Sequence, residues 1–280
     1  MSLLSVLIPA HDEARYIDAC LAAVLASEEL PTKTTCEVLV LANGCHDDTA
    51  ARARQWQQTA SERGWTLQVV EIQQGGKLNA LNVGDGIAKG DLCAYLDADV
   101  VLNPEVLSAT CTALATTSPR YAGGTPQVTP AQSAVTRAYA RLWQQLPFVT
   151  ATVPGFGFFA MNRAGRRRWQ DWPDIISDDM FARLQFTPEE RVKLPQTYSW
   201  PMVEGFRQLV RVRRRQNAGV TQIEERFPQL LANEDKPQLT FGKLARLALR
   251  DPVGFVVYSA VALAVKTPLY SDRDPWARGR

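Results

Sequence analysis

The chain has only two histidines, His11 and His46, and none of its five cysteines forms a C-x-x-C pair. Structural zinc sites draw ligands from Cys and His at fixed short spacings, so a zinc-finger or zinc-ribbon domain is excluded and a His-built metal centre is not expected. Loop or capping roles are the expectation for both histidines. An odd number of cysteines also excludes a complete disulfide framework. Cys20, Cys36, Cys45, Cys93 and Cys111 therefore read as reduced thiols, mostly in the core of a cytoplasmic protein. Net charge is scarce as well: 31 Lys and Arg against 29 Asp and Glu leave +2, which excludes nucleic-acid binding by overall charge. Long apolar runs are missing. The most apolar stretch offers about 13 apolar-leaning positions against the roughly 20 that span a bilayer. "MSLLSVLIPAHDEARY" lacks the basic flank of a secretory leader and reads as a first strand. No dinucleotide fingerprint follows a strand, because the glycines of "GDGIAKG" are wrongly spaced and close a helix. A hydride-transfer enzyme is thereby disfavoured.

What is present is a real core. Hydrophobic residues make up 46% of the 280 positions, enough for one large domain or one domain with an appendage. "LLSVLIPA", "CEVLVLA", "LQVVEI" and "LCAYLDADV" are near-continuous apolar strands. Between them lie "EARYIDACLAAVLAS", "NGCHDDTAARARQWQQTASERG" and "GGKLNALNVGDGIAKG", read as helices. This alternation predicts an α/β fold with a mostly parallel sheet covered by helices on both faces. Further on, "YAGGTPQVTP" suits a strand, "VPGFGFFAMNRAG" a loop entering one, and "RVKLPQTYSWPMV" an irregular one. From about residue 205 the character changes to an Arg cluster followed by helical stretches. The expected division is a sheet domain over 1–215 and a C-terminal helical extension over 216–280.

In such sheets ligands bind beyond the carboxyl ends of the strands. Four polar groups fall there: "PAHDE", "NGCHDD", "GGKLN" and "DADV". Asp97 and Asp99 pose the sharpest question, since at strand spacing they would point the same way and repel. Either they cap the next element or a cation sits between them.

Taken together, Pro9-Ala10-His11-Asp12-Glu13, Asn43-Gly44-Cys45-His46-Asp47-Asp48-Thr49, Gly76-Lys77-x-x-Ala80-Leu81-Asn82-x-Gly84 and Asp97-Ala98-Asp99 resemble glycosyltransferase family 2 over about the first 215 residues. The resemblance implies a Rossmann-like GT-A fold and an inverting hexosyltransferase of polysaccharide or glycoconjugate synthesis. Its donor would be a nucleotide-diphosphate sugar. By that pattern Pro9, His11, Glu13 and Asn43 cradle base and ribose, and Lys77 meets the phosphates. Asp99, with Asp97, would hold Mn²⁺ or Mg²⁺, hard ions suited to carboxylate and diphosphate oxygens, while Asp97 also reaches ribose or sugar. Many relatives carry Asp where this chain has Ala42 or Asn43, which changes the base contact.

Inverting transfer needs a base opposite the leaving group to take the acceptor hydroxyl proton. Asp179 of "IISDDMFARL" matches the family's catalytic aspartate, with Asp178 orienting it or touching the acceptor; the competing reading is helix capping at Ser177. Gly155, Phe156 and Gly157 belong to the acceptor side, although Phe156, Phe158 and Phe159 suit a core equally well. Arg211, in "QLVRV", partly matches a diphosphate-binding motif whose tryptophan is absent here. Its neighbours Arg207, Arg213, Arg214 and Arg215, with Arg166, Arg167 and Arg168, read as a solvated or membrane-facing basic edge. The C-terminal helices either touch the cytoplasmic leaflet near a lipid-linked acceptor, or cover the sheet domain or form a homodimer interface. The rival functions are nucleotidyltransferase and non-catalytic nucleotide-sugar binder. The first is disfavoured because "PAHDEARY" lacks the glycine-rich loop that chemistry uses.

Overall fold

The computed structural model describes residues 2–237, 239–268 and 270. Eight strands build one sheet: β1 (Ser2–Ala10), β2 (Thr34–Asn43), β3 (Thr66–Ile72), β4 (Leu92–Leu96), β5 (Val101–Leu102), β6 (Tyr121–Val128), β7 (Phe158–Asn162) and β8 (Arg191–Trp200). Their spatial order is β3-β2-β1-β4-β7-β6-β8-β5. The first four pair in parallel, as strand–helix alternation requires. Beyond β4 the sheet is mixed. β7 runs antiparallel to both β4 and β6, and β5 antiparallel to β8, while β6 and β8 are parallel.

Alternate residues of the strands feed two cores. Leu4, Val6 and Ile8 of β1 pack with Val38 and Val40 against the helix Ile17–Leu25. Leu7, Leu39, Leu41 and Tyr95 face the other way, toward Ala80 and Leu81 of the helix Lys77–Ile87. Both faces of β1, β2 and β4 are covered, so most of their positions carry apolar residues, which is why these strands read as near-continuous runs.

Three local expectations change. The stretch after β2 is not one helix but two, Thr49–Arg54 and Gln57–Glu62, broken around Trp56. β4 ends at Leu96, so Asp97-Ala98-Asp99 is a turn, closed by Val100 N–H donating to Asp97 O at 3.1 Å. The strand-spacing argument for that pair therefore does not apply. The expected boundary between 215 and 216 falls inside the uninterrupted helix Phe206–Arg226, so no break in the chain marks it. Residues 271–280 of the expected extension lie outside the described residues.

A third core joins the C-terminal helices to the sheet domain. Tyr139 and Trp143 of the helix Ala134–Trp143 pack with Leu209 and Val210 of the helix Phe206–Arg226 and with Val261 and Ala264 of the helix Pro252–Val265. Asp251 accepts from Gly254 N at 2.9 Å at the start of that last helix and from Arg141 Nε and Nη2 at 3.2 Å each. Arg214 binds its final turn through Ala264 O and Val265 O, each at 3.3 Å. The inner faces thus cover the sheet domain.

Candidate active site

The loops after β1, β2, β3 and β4 converge on one rim, and the first contact there is made by an amide. Asn43 is buried at the end of β2, and its Nδ2 donates to Ala10 O at 2.9 Å and Leu41 O at 3.2 Å. Its Oδ1 accepts from Gly76 N at 2.9 Å. With its polar atoms committed to backbone, Asn43 positions the start of the helix Lys77–Ile87 instead of being available to a base. Around it, Pro9, His11, Glu13, Gly75, Gly76 and Asp99 line a cavity of about 1190 Å³.

Lys77, at the first position of that helix, is the hub. Its Nζ lies 2.9 Å from Asp97 Oδ1 and 2.9 Å from Asp178 Oδ2, so one ammonium joins the turn after β4 to the helix Asp178–Leu184. Burial alone would lower the Lys77 ammonium. The carboxylates of Asp178 and Asp97 outweigh that and hold it above its ordinary value. Asp178 is buried, whereas Asp179 is half-buried and borders a second cavity of about 790 Å³. The two cavities share Pro9, Lys77, Asp97, Asp178, Trp143 and Trp200 as walls. Burial and the neighbouring Asp178 charge push Asp179 up to about 6, with Lys77 pulling the other way. Ser177 makes no side-chain cap bond to this helix, which removes the simplest capping account of the acidic pair.

The glycines beside Asp179 have defined tasks. A Cβ on Gly155 would stand 2.6 Å from Tyr121 Oη and 3.1 Å from Asp179 Cβ, so glycine lets that backbone pass close against the start of the Asp179 side chain. Gly157 has φ +74°, a left-handed conformation suited to glycine, and its carbonyl accepts Asp97 N–H at 2.9 Å. Phe156 between them lies against Trp143 and Trp200 at ring distances of 5.4 and 5.9 Å and lines the smaller cavity. Phe158 and Phe159 are core.

The arginines divide. Arg211 does not line either cavity; its Nη1 donates to Gln208 Oε1 at 3.2 Å. Arg213 and Arg215 line both instead, Arg213 being held by Tyr139 Oη at 3.0 Å and by the Tyr258 ring at 4.4 Å. Arg166 departs from the expected basic edge. It is buried, pairs with Asp85 at 2.8 Å and stacks on Trp169. Asp85 also accepts from Tyr95 Oη at 2.7 Å and Trp172 Nε1 at 2.6 Å, so this arginine neutralises a buried carboxylate. Arg168 is likewise paired, with Glu190 at 2.6 Å. Sequence reasoning missed Trp143 and Trp200 and assigned Arg213 and Arg215 to the basic edge, whereas both line the cavities. A helical-face count from Leu209 would have separated Arg213 from Arg211 on the Phe206–Arg226 helix.

The donor set suits a hard divalent ion. Asp99 brings carboxylate oxygen to the larger cavity, where one or two carboxylates plus a substrate's phosphates are the usual Mg²⁺ or Mn²⁺ environment. Asp97 already holds Lys77, which leaves Asp99 as the better protein ligand.

A sequence profile described as glycosyl transferase family 2 matches residues 5–171. Glycosyltransferase AglE of Haloferax volcanii is 34% identical over 129 residues, 46% of this chain and 41% of that protein, so the chain spans less than half of that relative's length. Among solved structures, the mannosyltransferase PcManGT from Pyrobaculum calidifontis, in complex with GDP-Man and Mn²⁺, superposes with a TM-score of 0.59 at 20% identity, covering 94% of this chain and 75% of the other. S. aureus TarS 1-349 in complex with UDP-GlcNAc superposes at 0.52 with 15% identity, covering 95% and 82%. The chain shares their GT-A fold.

Proposed function

The chain belongs to glycosyltransferase family 2, and from that premise we propose that it is a metal-dependent, inverting hexosyltransferase using a nucleotide-diphosphate sugar in polysaccharide or glycoconjugate synthesis. The observation that carries this reading is the Lys77 bridge, which fixes Asp97 on the donor side 2.9 Å from the same ammonium that holds Asp178 beside Asp179. The larger cavity takes the nucleotide diphosphate and the smaller one the acceptor. Asp179 accepts the proton of the acceptor hydroxyl as that oxygen attacks the anomeric carbon. Lys77, with Arg213 and Arg215, faces the charge that develops on the departing diphosphate. A bound Mn²⁺ or Mg²⁺ at Asp99 supplies further neutralisation of that charge. The GDP-Man and Mn²⁺ of PcManGT support the donor class and the ion.

Asp99→Ala is expected to lower affinity for a nucleoside diphosphate in Mn²⁺ to the value wild type shows in chelator. Calorimetry decides this, and a wild-type affinity indifferent to chelator rejects the metal assignment. Release of nucleoside diphosphate from donor, acceptor and metal separates transfer from nucleotidyl chemistry, which would release pyrophosphate, and from binding without turnover.

The acceptor reading is extended by the outer face of the C-terminal helices. No described helix is long and apolar enough to cross a membrane. The helix Phe241–Arg250 nevertheless leaves Phe241 85% and Leu249 84% exposed, with Lys243, Arg246 and Arg250 beside them on the open side. The uncharged helix Pro252–Val265 adds exposed Val253, Val256 and Leu263 along one stripe. Apolar side chains rimmed by cations fit an anionic leaflet. Leu239 and Tyr258 carry the smaller cavity toward this surface, which suits a lipid-linked glycan entering from a bilayer at the inner face of the cell membrane. The full chain is expected to sediment with anionic vesicles and not with neutral ones, and the double variant Phe241→Glu/Leu249→Glu to stay in solution while still turning over a water-soluble acceptor. Vesicle binding unchanged in that variant rejects the reading; a dimer dissolved by it assigns the face to a second copy.

A further inference from the structure

The two histidines of the chain, 35 residues apart in sequence, meet at one aspartate. Asp12 Oδ2 lies 3.8 Å from His11 Nε2 and 3.8 Å from His46 Nδ1. Asp12 itself sits at φ 52°, a left-handed conformation that Asp tolerates, and its Oδ1 is anchored by His46 N–H at 2.7 Å. Cys45 completes the corner: donor atoms of His11, Asp12 and Cys45 all lie within 4.8 Å of one another. Of the five cysteines this one is not buried.

The hydrogen bonding of His11 is what makes the corner ligand-like. Its Nδ1 stands 2.5 Å from the Asn43 carbonyl, which can only accept, so Nδ1 carries a proton and Nε2 is the nitrogen through which the neutral ring would bind a metal. An imidazole whose far nitrogen donates to a carbonyl is the usual second-shell arrangement of a metal-bound histidine. Ligand atoms about 2.0–2.3 Å from a tetrahedral Zn²⁺ are separated by roughly 3.3–3.8 Å; the two His–Asp12 distances of 3.8 Å reach that range, and the Cys45 donor lies within 4.8 Å of those of His11 and Asp12. The set is mixed N, O and S, unlike the all-oxygen set at Asp97 and Asp99.

We propose that His11 Nε2, Asp12 Oδ2, Cys45 Sγ and His46 Nδ1 form a second metal site that takes a borderline-soft divalent ion, Zn²⁺ in class, at the rim of the larger cavity. Binding converts the Cys45 thiol to thiolate and releases its proton to solvent. His46, with a side chain 85% exposed, turns inward to close the shell. The site shares no ligand with Asp99, so a chelator strips both and reconstitution with Mn²⁺ alone refills one.

The test uses the full chain, freed of metal and titrated with Co²⁺ and then Zn²⁺ without nucleotide. One equivalent of Co²⁺ is expected to give thiolate-to-cobalt charge-transfer absorption, displaced by Zn²⁺. The other four cysteines are buried, so that band reports Cys45. Cys45→Ser is expected to abolish the band, and His46→Ala to weaken Zn²⁺ by about tenfold or more with an unchanged metal-free melting curve. Asp99→Ala should leave the band in place. No band in wild type, a band surviving Cys45→Ser, Zn²⁺ affinity unmoved by His46→Ala, or a band lost in Asp99→Ala overturns the proposal. If Cys45→Ser does not fold, His46→Ala decides alone.

Discussion

Asp179→Asn is expected to lower kcat by about 10²–10⁴-fold, the range of a positioned general base, with nucleoside diphosphate affinity unchanged. The amide keeps the shape of the side chain beside Gly155 but cannot take a proton. The wild-type pH profile supplies the independent half of the test. Asp179 is held up to about 6 by burial and by the charge of Asp178, and a base works only when ionised, so kcat/KM should fall as pH drops through about 6. In Asp179→Asn the residual rate should lack that limb. Steady-state kinetics across pH and calorimetry on the same preparations measure both. Equal loss of turnover and donor affinity would remove Asp179 from the role of base, and so would a limb that persists in the variant.

The sequence carried the parallel half of the sheet and the convergence of four loops because those features are local. An apolar strand, a loop and an amphipathic helix each declare themselves within about a dozen residues, and their C-terminal ends then define the rim. What faces what across the rim is not local. Lys77 was expected to meet phosphates, and nothing near position 77 announces its grip on Asp178, which lies 101 positions later. Asn43 looked like a base contact because of its neighbours in the resemblance. Three backbone partners occupy its amide instead, two of them brought in by β1 and by the start of the Lys77 helix. Arg166 looked like part of a basic edge, and only the tertiary pairing with Asp85 makes it a buried counterion. The antiparallel insertion of β7 belongs to the same class, since no repeating strand–helix unit sets its direction. The meeting of His11 and His46 at the Asp12 carboxylate is likewise set by the fold and not by sequence spacing.

Lys77→Met is expected to reduce kcat/KM by about 10²–10³-fold, the scale of removing one preorganised charge donor, and to move the acid limb of the profile above its wild-type position. The sign follows from the bridge. Lys77 favours the ionised form of Asp179, while burial and Asp178 oppose it, so deleting the ammonium leaves the Met180 backbone hydrogen bond alone against them and raises the pH at which the base ionises. Lys77→Arg keeps a cation between Asp97 and Asp178 and should return the limb toward about 6 with incomplete recovery of rate, because a planar fork does not reproduce a point charge at 2.9 Å from both carboxylates. The same variant tests the structural half of the bridge. Asp178 is buried, and without its counterion the folded state must keep a carboxylate out of water. Protonation relieves that charge, so the melting temperature of Lys77→Met should lie below wild type near neutral pH and approach it as the solution is acidified. A limb that stays at the wild-type pH would show that Lys77 does not reach Asp179 electrostatically, whereas a melting difference constant across pH would place its contribution in packing of the Lys77–Ile87 helix and not in the ion pair.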